Sequence, residues 1–514
     1  MTPRPRRTRW RLTALAALPL VLAPLLSGCF SPAAEQPVAG DADGARIRIA
    51  MMQPPRSGLS PLSDDAFKLS RWATAETLIA LDADSMPQPA LATEWTRIDP
   101  TTWRFAIRDG VTFHNGEPLT ADAVVDSLQH AAAASPLPRI LKGVSLQARA
   151  DGNAVVITTA NPDPLLPNRL SSPQLSILAP AAYQGGGVDP VGTGTGPFEL
   201  VAVNGVTGAT LDRYEGYWGE HAKSPGIDVS FVPDGTARAA ALRTGEAQVV
   251  EAIPAGQAAS IDHDLIVEVP MPRTNTLYLN TKTGPFADPA VRAAARDAVN
   301  RAAIVESVYE GRADVAQGLL GPALPWAADY RNGADYQAVL AGRAAPAKVD
   351  GVEISLGTFT DRAELPEVAV MLQQQLEAAG FVVHQDVREY QFIEADALAG
   401  RFDAFILSRA TVIDSGDPVA YLDADFTCGG GFSISQLCSP QVDAAVKAAS
   451  ETDTGVDRQR ATMLAEAQVL ATDAAIPLLH ERVIQGEARG VSDAARDPRE
   501  RVLVTAQTSF DAAH

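Results

Sequence analysis

The sequence predicts an α/β fold with more than one lobe. Strand-like stretches alternate with helical ones along most of the chain. One apolar helical stretch, LPEVAVMLQQQLEAAG, runs through a glycine turn into the strand-like FVVHQDVRE, a βαβ-like step. The third observation is length, because about 485 residues remain once an N-terminal export signal is removed, more than a single core organises. Hydrophobic residues at 46% and charged residues at 20% place the chain among globular proteins rather than disordered ones.

The N-terminus carries Arg4, Arg6, Arg7, Arg9 and Arg11 with no acid, then an apolar run from Leu12 to Leu26. That run is shorter than the ~20 residues of a comfortable membrane span. A basic segment, an apolar segment and small residues in this order predict a secretory signal over residues 1–28. Leu26-Ser27-Gly28-Cys29 resembles the lipobox of bacterial lipoproteins, which implies cleavage before Cys29 and lipid on its thiol. The protein is then expected outside the cytoplasm, held to the outer face of the cell membrane by that lipid alone. Loss of the five arginines would make the formal net charge of −20 more negative by five. Such a surface repels phosphate backbones, so nucleic acid is not an expected partner. Residues 29–45 mix Pro, Ala, Gly and acids without periodicity and read as a flexible tether.

Beyond the tether, ARIRIAMM, TTWRFAIRDGVTF, NAVVITTA and ATLDRYEGYW read as strands by their alternation. TADAVVDSLQHAAAA, GTARAAALRTG and DPAVRAAARDAVNRAAIVESVYEG read as helices. Within TWRFAIRDGVTFHNGEPLT we expect two short strands with turns at Asp109-Gly110 and Asn115-Gly116, and Thr120 capping the next helix. Trp103, Phe105 and Phe113 are expected in the core. GTGTGP superficially matches a phosphate-binding loop, but Pro197 and the strand-like FELVAV follow where a helix should begin. It reads as a turn whose glycines need touch nothing.

Catalytic signatures are missing. No GxSxG, HExxH or GxxxxGK[ST] occurs, and the seven histidines are scattered. No metal site and no cofactor are expected, and the silence favours a binding protein over an enzyme. Cys428 and Cys438, in FTCGGGFSISQLCSP, are expected to form a disulfide in an oxidising compartment, since neither a CxxC nor a nearby histidine supports a metal site.

Longer blocks carry a resemblance. ETLIALDADSMPQPALATEWTRIDPTTWRFAIRDGVTFHNGEPLTADAVVDSLQ (Glu76 to Gln129) is similar to the signature region of the family 5 extracellular solute-binding proteins, the peptide and nickel receptors of ABC importers. GTGPFELVAVNGVTGATLDRYEGYWGE, VPDGTARAAALRTGEAQVV and LYLNTKTGPFADPAVRAAARDAVNRAAIVESVYEGRADVAQGLL resemble later blocks of that family in the same order, as does the tail around FDAFILSRATVIDSGDPVAYLDADF. The resemblance implies a two-lobed periplasmic-binding-protein-like fold of type II, a venus flytrap with an extra domain in its N-terminal lobe. It places the N-terminal lobe at 46–272 with the extra domain at about 73–188, the C-terminal lobe at 273–483, and a segment over 484–514 returning to the first lobe. It also implies an ABC permease and ATPase as partners, a monomer, and short peptides as ligands, with a nickel chelate as the alternative and an extracellular hydrolase as the reading from another class.

Peptide receptors of the family carry an aspartate in a GD-x-GDP-like stretch that receives the peptide's α-ammonium. IDSGDP places Asp414 there, with Asp417 in the turn before Pro418. The arginine that dipeptide receptors use for the carboxylate is not matched in AELPEVAV, which leaves Arg362 or Arg409 as candidate substitutes.

Overall fold

The computed structural model describes residues 45–63, 65–362, 364–412 and 415–512. The signal, Cys29 and most of the tether therefore lie outside the described residues, as does Asp414.

The first strand, β1 (Ile47–Met51), is fully apolar on the side it turns inward. A small hairpin, β2 (Ile79–Leu81) and β3 (Pro87–Pro89), follows. Next comes an antiparallel sheet of β4 (Ala92–Asp99), β5 (Thr102–Ile107), β6 (Leu146–Ala150) and β7 (Ala154–Thr159), in the order β4-β5-β7-β6. Three strands then extend the sheet that holds β1: β8 (Phe198–Asn204), β9 (Gly208–Arg213) and β10 (Gly226–Phe231). The chain continues through β11 (Val249–Val250), β12 (Ile266–Leu279), β13 (Ala313–Val315), β14 (Val352–Phe359), β15 (Phe381–Arg388), β16 (Ala404–Ala410) and β17 (Ala475–Glu487). The large sheet has the order β15-β14-β16-β12-β17-β11-β1-β10-β9-β8, with β13 added on β17.

Two long antiparallel strands join the lobes. β12 and β17 pair from Ile266–Gly486 to Pro270–Arg482, the register breaks, and pairing resumes from Thr274–His480 to Tyr278–Ala475. The cores separate around them. One cluster runs from Leu277 to Leu479 and lies beneath β14, β15 and β16. Two others bury β1, β8, β9 and β10, together with Ile484 of β17. A fourth, from Leu78 to Ala179, lies against the four-stranded sheet and includes Trp103, Phe105 and Phe113. The fold is the two-lobed type II arrangement expected from sequence.

The βαβ step forms in full: β14 pairs in parallel with β15 through eight residues, with the helix Glu364–Ala378 between them. Thr120 caps its helix by accepting a hydrogen bond from the Ala123 amide at 3.2 Å. Three expectations need correction. The stretch after Asp288 is two helices, Pro289–Ala298 and Arg301–Val308, because Val299 is extended and the Asn300 side chain caps the second helix at the Ala303 amide, 3.1 Å away. The second short strand of the TWRF block is only an isolated bridge between Thr112 and Pro118, since the two turns leave too few residues to pair. The glycines of GTGTGP do touch something. A Cβ at Gly194 or Gly196 would sit 2.0 Å from the carbonyl oxygen of Thr74 or Ala73, so the backbones meet too closely for any side chain.

The second lobe encloses one ion pair completely. Glu466 is fully buried and accepts from Arg331 Nε at 3.1 Å, from the Tyr336 hydroxyl at 2.8 Å and from the Leu320 amide at 3.2 Å, while Arg331 Nη2 donates to the Leu320 carbonyl.

Candidate ligand-binding cleft

Side chains that could meet a solute gather where β12 and β17 cross between the lobes and where β14 and β16 end. The carboxyl ends of parallel strands are where open α/β sheets leave a crevice. β16 delivers Arg409 just before its end, and the loop after β14 delivers Arg362. β12 delivers Arg273 inside its register break, opposite Ala410.

Each of these arginines has a different environment. Arg409 forms a two-pronged pair with Asp425, Nε to Oδ2 at 2.9 Å and Nη2 to Oδ1 at 2.8 Å, and its guanidinium stacks 4.1 Å from the Phe432 ring centre. Asp425 comes from the helix Val419–Phe426 and is 1% exposed, so burial pushes its carboxyl up to about 6 against the pull of Arg409. Arg362 donates from Nη1 to Glu481 Oε2 at 2.8 Å, and the Ser408 hydroxyl donates to the other oxygen of Glu481. Arg273 donates from Nη1 to the Ser408 carbonyl at 3.1 Å. Burial and then the nearby guanidinium of Arg362 hold it below the usual arginine range, while Glu481 and Glu500 pull the other way.

The first lobe faces this floor with a cluster of its own. Arg71 pairs with Glu251 and also lies 3.5 Å from Glu500, whose carbonyl accepts from Arg71 Nε at 2.6 Å. The backbone here is strained: Ala73, Ala252 and Glu500 all have left-handed φ, at 51°, 49° and 55°. Such conformations cost roughly 1 kcal/mol or more each and concentrate where a site over-determines the chain.

Asp414 lies outside the described residues, and the contacts that follow concern Ser415 and Gly416 alone. Asn168 Nδ2 donates to the carbonyls of Ser415, 3.4 Å, and Ser85, 3.1 Å, and its Oδ1 accepts from the Thr454 hydroxyl at 3.1 Å. Gly416 has φ 72°, and a Cβ there would meet Leu81 Cδ1 at 2.6 Å. Ser415 and Gly416 are thus held by Asn168 and Leu81 of the other lobe. Asp417 serves the scaffold, pairing with Arg458 at 2.6 Å and accepting from the Val419 amide at 2.9 Å.

Cys428 and Cys438 are bonded to each other, just past the helix that carries Asp425. Among the described residues no group of three or more His, Cys, Asp and Glu is placed to hold a metal ion. The structure brings Arg362 and Arg409 to one floor and adds Arg273, Glu481 and Asp425, which sequence reasoning missed. Arg273 is the last partly exposed residue of β12 before the buried run Thr274–Leu279.

The match to known proteins agrees with this architecture. The model of the bacterial extracellular solute-binding proteins, family 5 Middle, matches residues 86–433. The glutathione-binding protein GsiB of Escherichia coli (strain K12) is 31% identical over 266 residues, covering 49% of this chain and 52% of that protein. The chain thus spans about half the length of the curated relatives it matches. Among solved structures, the nickel ABC transporter from Bacillus halodurans superposes with a TM-score of 0.78 at 24% identity, over 91% of this chain and all of that one. DppA from Helicobacter pylori, solved with the peptide STSA, superposes with a TM-score of 0.68 at 21% identity, over 91% and 98%. At these identities the structural likeness concerns the fold.

Proposed function

The chain belongs to the bacterial extracellular solute-binding proteins of family 5, and from that premise we propose that it captures short peptides between its lobes and hands them unchanged to an ABC permease with its ATPase. It is a receptor and not an enzyme. Cys29 carries the lipid that holds it at the outer face of the membrane, and the protein works as a monomer.

The observation that carries this reading is the cleft floor, where the guanidinium groups of Arg273 and Arg362 retain donors that no hydrogen bond among the described residues uses. A receptor that tolerates many side chains must recognise what all peptides share: backbone amides, the α-ammonium and the carboxylate. Asp414 supplies the anion for the ammonium, and the arginine-lined floor of the cleft meets the carboxylate. The glutathione-binding relative fits a peptide-like ligand. Closure of the lobes about β12 and β17 then presents the loaded form to the permease.

Calorimetric titration with di- and tripeptides, their N-acetylated forms, and nickel with free histidine tests the proposal. Free peptides should bind, and N-acetylation should weaken them. Asp414→Ala should weaken binding about 30-fold or more, because a buried charge-assisted contact loses about 2 to 5 kcal/mol when one partner is removed. Binding of nickel–histidine alone would replace the peptide reading with a metal-chelate receptor. Cleaved peptide seen by mass spectrometry would replace it with a hydrolase. Cys29→Ser should release the protein from membranes, and a variant that stayed bound and processed would refute the lipid anchor.

A further inference from the structure

Of the four arginines Arg71, Arg273, Arg362 and Arg409 around the cleft, three can be matched with carboxylates among the described residues. Arg362 has Glu481, Arg409 has Asp425, and Arg71 has Glu251 with Glu500 beside it. Arg273 has none. Among the described residues its guanidinium makes one hydrogen bond, from Nη1 to the carbonyl of Ser408, and no ion pair. It is half-buried, and the two carboxylates that act on it from a distance, Glu481 and Glu500, are already held by other cations.

A half-buried guanidinium without an anion is costly to keep, since burial removes hydration that nothing on the protein replaces. Its position explains why it would be kept. Arg273 sits in the register break of β12, the strand that runs from the first lobe into the second, and so lies at the junction about which the lobes move. A planar fork with spare donors suits a carboxylate better than any other group a peptide carries.

We propose that Arg273, rather than Arg362 or Arg409, receives the ligand's carboxylate, and that this receptor selects ligands with a free carboxylate reaching the hinge. This rests on the peptide reading above. The pairs of Arg362 and Arg409 hold the floor in shape, and Arg273 supplies the cation that an incoming anion completes.

The test uses the full-length protein and two probe pairs: trialanine with its C-terminal amide, and glutathione with its glycyl ethyl ester. Affinities are measured for the unmodified protein, Arg273→Met, Arg273→Lys and Arg362→Met. The unmodified protein should prefer the free carboxylate by about tenfold or more. Arg273→Met should abolish that preference, bringing the acid's affinity to that of the amide or ester. Arg273→Lys should keep only part of it, because an ammonium lacks the two-pronged fork. Arg362→Met should keep the full ratio. The ratio is internal to each variant, so reduced folding cannot imitate the result, and if Arg273→Met does not fold then Arg273→Lys carries the test. An unchanged ratio in either Arg273 variant, or no preference in the unmodified protein, overturns the proposal while leaving a peptide receptor in place. If neither probe pair binds the unmodified protein, the peptide reading fails and this inference fails with it.

Discussion

Arg331 and Arg273 both place a guanidinium away from solvent in the second half of the chain, yet their surroundings are built on opposite plans. Around Arg331, Glu466 is approached by an arginine, a tyrosine hydroxyl and a backbone amide, and Nη2 of the arginine also donates to the Leu320 carbonyl. Around Arg273 the carboxylates belong to other residues, and one carbonyl is its only hydrogen-bond partner among the described residues. A network closed on itself contributes to the fold and has nothing left for a solute. A guanidinium left without a carboxylate is where a ligand adds an interaction that the protein lacks.

The sharpest way to break this contrast is to open the closed network. Glu466→Gln leaves Arg331 buried without an anion and should cost roughly 3 to 5 kcal/mol in urea denaturation. Peptide affinity of the folded fraction should stay unchanged. A large affinity loss with little loss of stability would mean that the two networks are not separate.

Acid should act on the two regions with opposite sign. Burial, and then Arg331, lower His480 to about 3, and its Nδ1–H donates to the Thr274 hydroxyl, which in turn donates to the Leu319 carbonyl. The folded protein therefore binds fewer protons here than the unfolded chain. This contribution is complete above pH 6.5 and is lost as pH falls from 6.5 towards 3, amounting to roughly 4 kcal/mol. Asp425 at about 6 binds more protons when folded, so its contribution is present at low pH and is lost as pH rises from 3.8 through 6. Denaturation from pH 7 to 4 should show a net loss of stability, and in His480→Gln that loss should disappear or reverse, because Asp425 then acts without its opponent. An equally steep profile in that variant would refute the assignment.

Smaller again is the crosslink beside the open network. Its two cysteines are ten residues apart in sequence, so joining them stabilises by roughly 2 to 3 kcal/mol through the unfolded chain. Alkylation and intact mass should reveal two thiols only after reduction, with a matching fall in melting temperature. The smallest effect is expected at Arg362, which is 35% exposed. Arg362→Met should shift melting by about 2 °C or less, since a partly exposed pair is worth under about 1 kcal/mol, and weaken peptide binding only a few-fold.

Much of this architecture could be read from local pattern. The step from β14 through its helix to β15 has a strand, an apolar helical stripe and a glycine in left-handed conformation at Gly380, φ 104°, each with a signal of its own. Thr120 declared its helix start in the same way. The long stretch after Asp288 misled because its apolar periodicity continues through Val299 and Asn300, and only the asparagine's competition for the backbone ends one helix and starts the next. Gly194 and Gly196 misled for another reason, since what they need room for is the backbone at Ala73 and Thr74, over a hundred residues earlier. The cleft was only half legible. Arg362 and Arg409 were reachable through the resemblance, but which arginine has a carboxylate depends on Glu481, Asp425 and Glu500 arriving from three separate segments. Periodicity says nothing about that pairing.

The placement of β17 bears on how the chain must be made. It is encoded at residues 475–487, yet it lies in the middle of the large sheet, between β12 and β11. As the chain emerges from its N-terminus, β11 and β12 each present an unpaired edge until almost the whole polypeptide exists. Neither lobe can complete its part of the sheet until residues 475–487 have been made, so closure of the sheet waits for nearly the whole polypeptide.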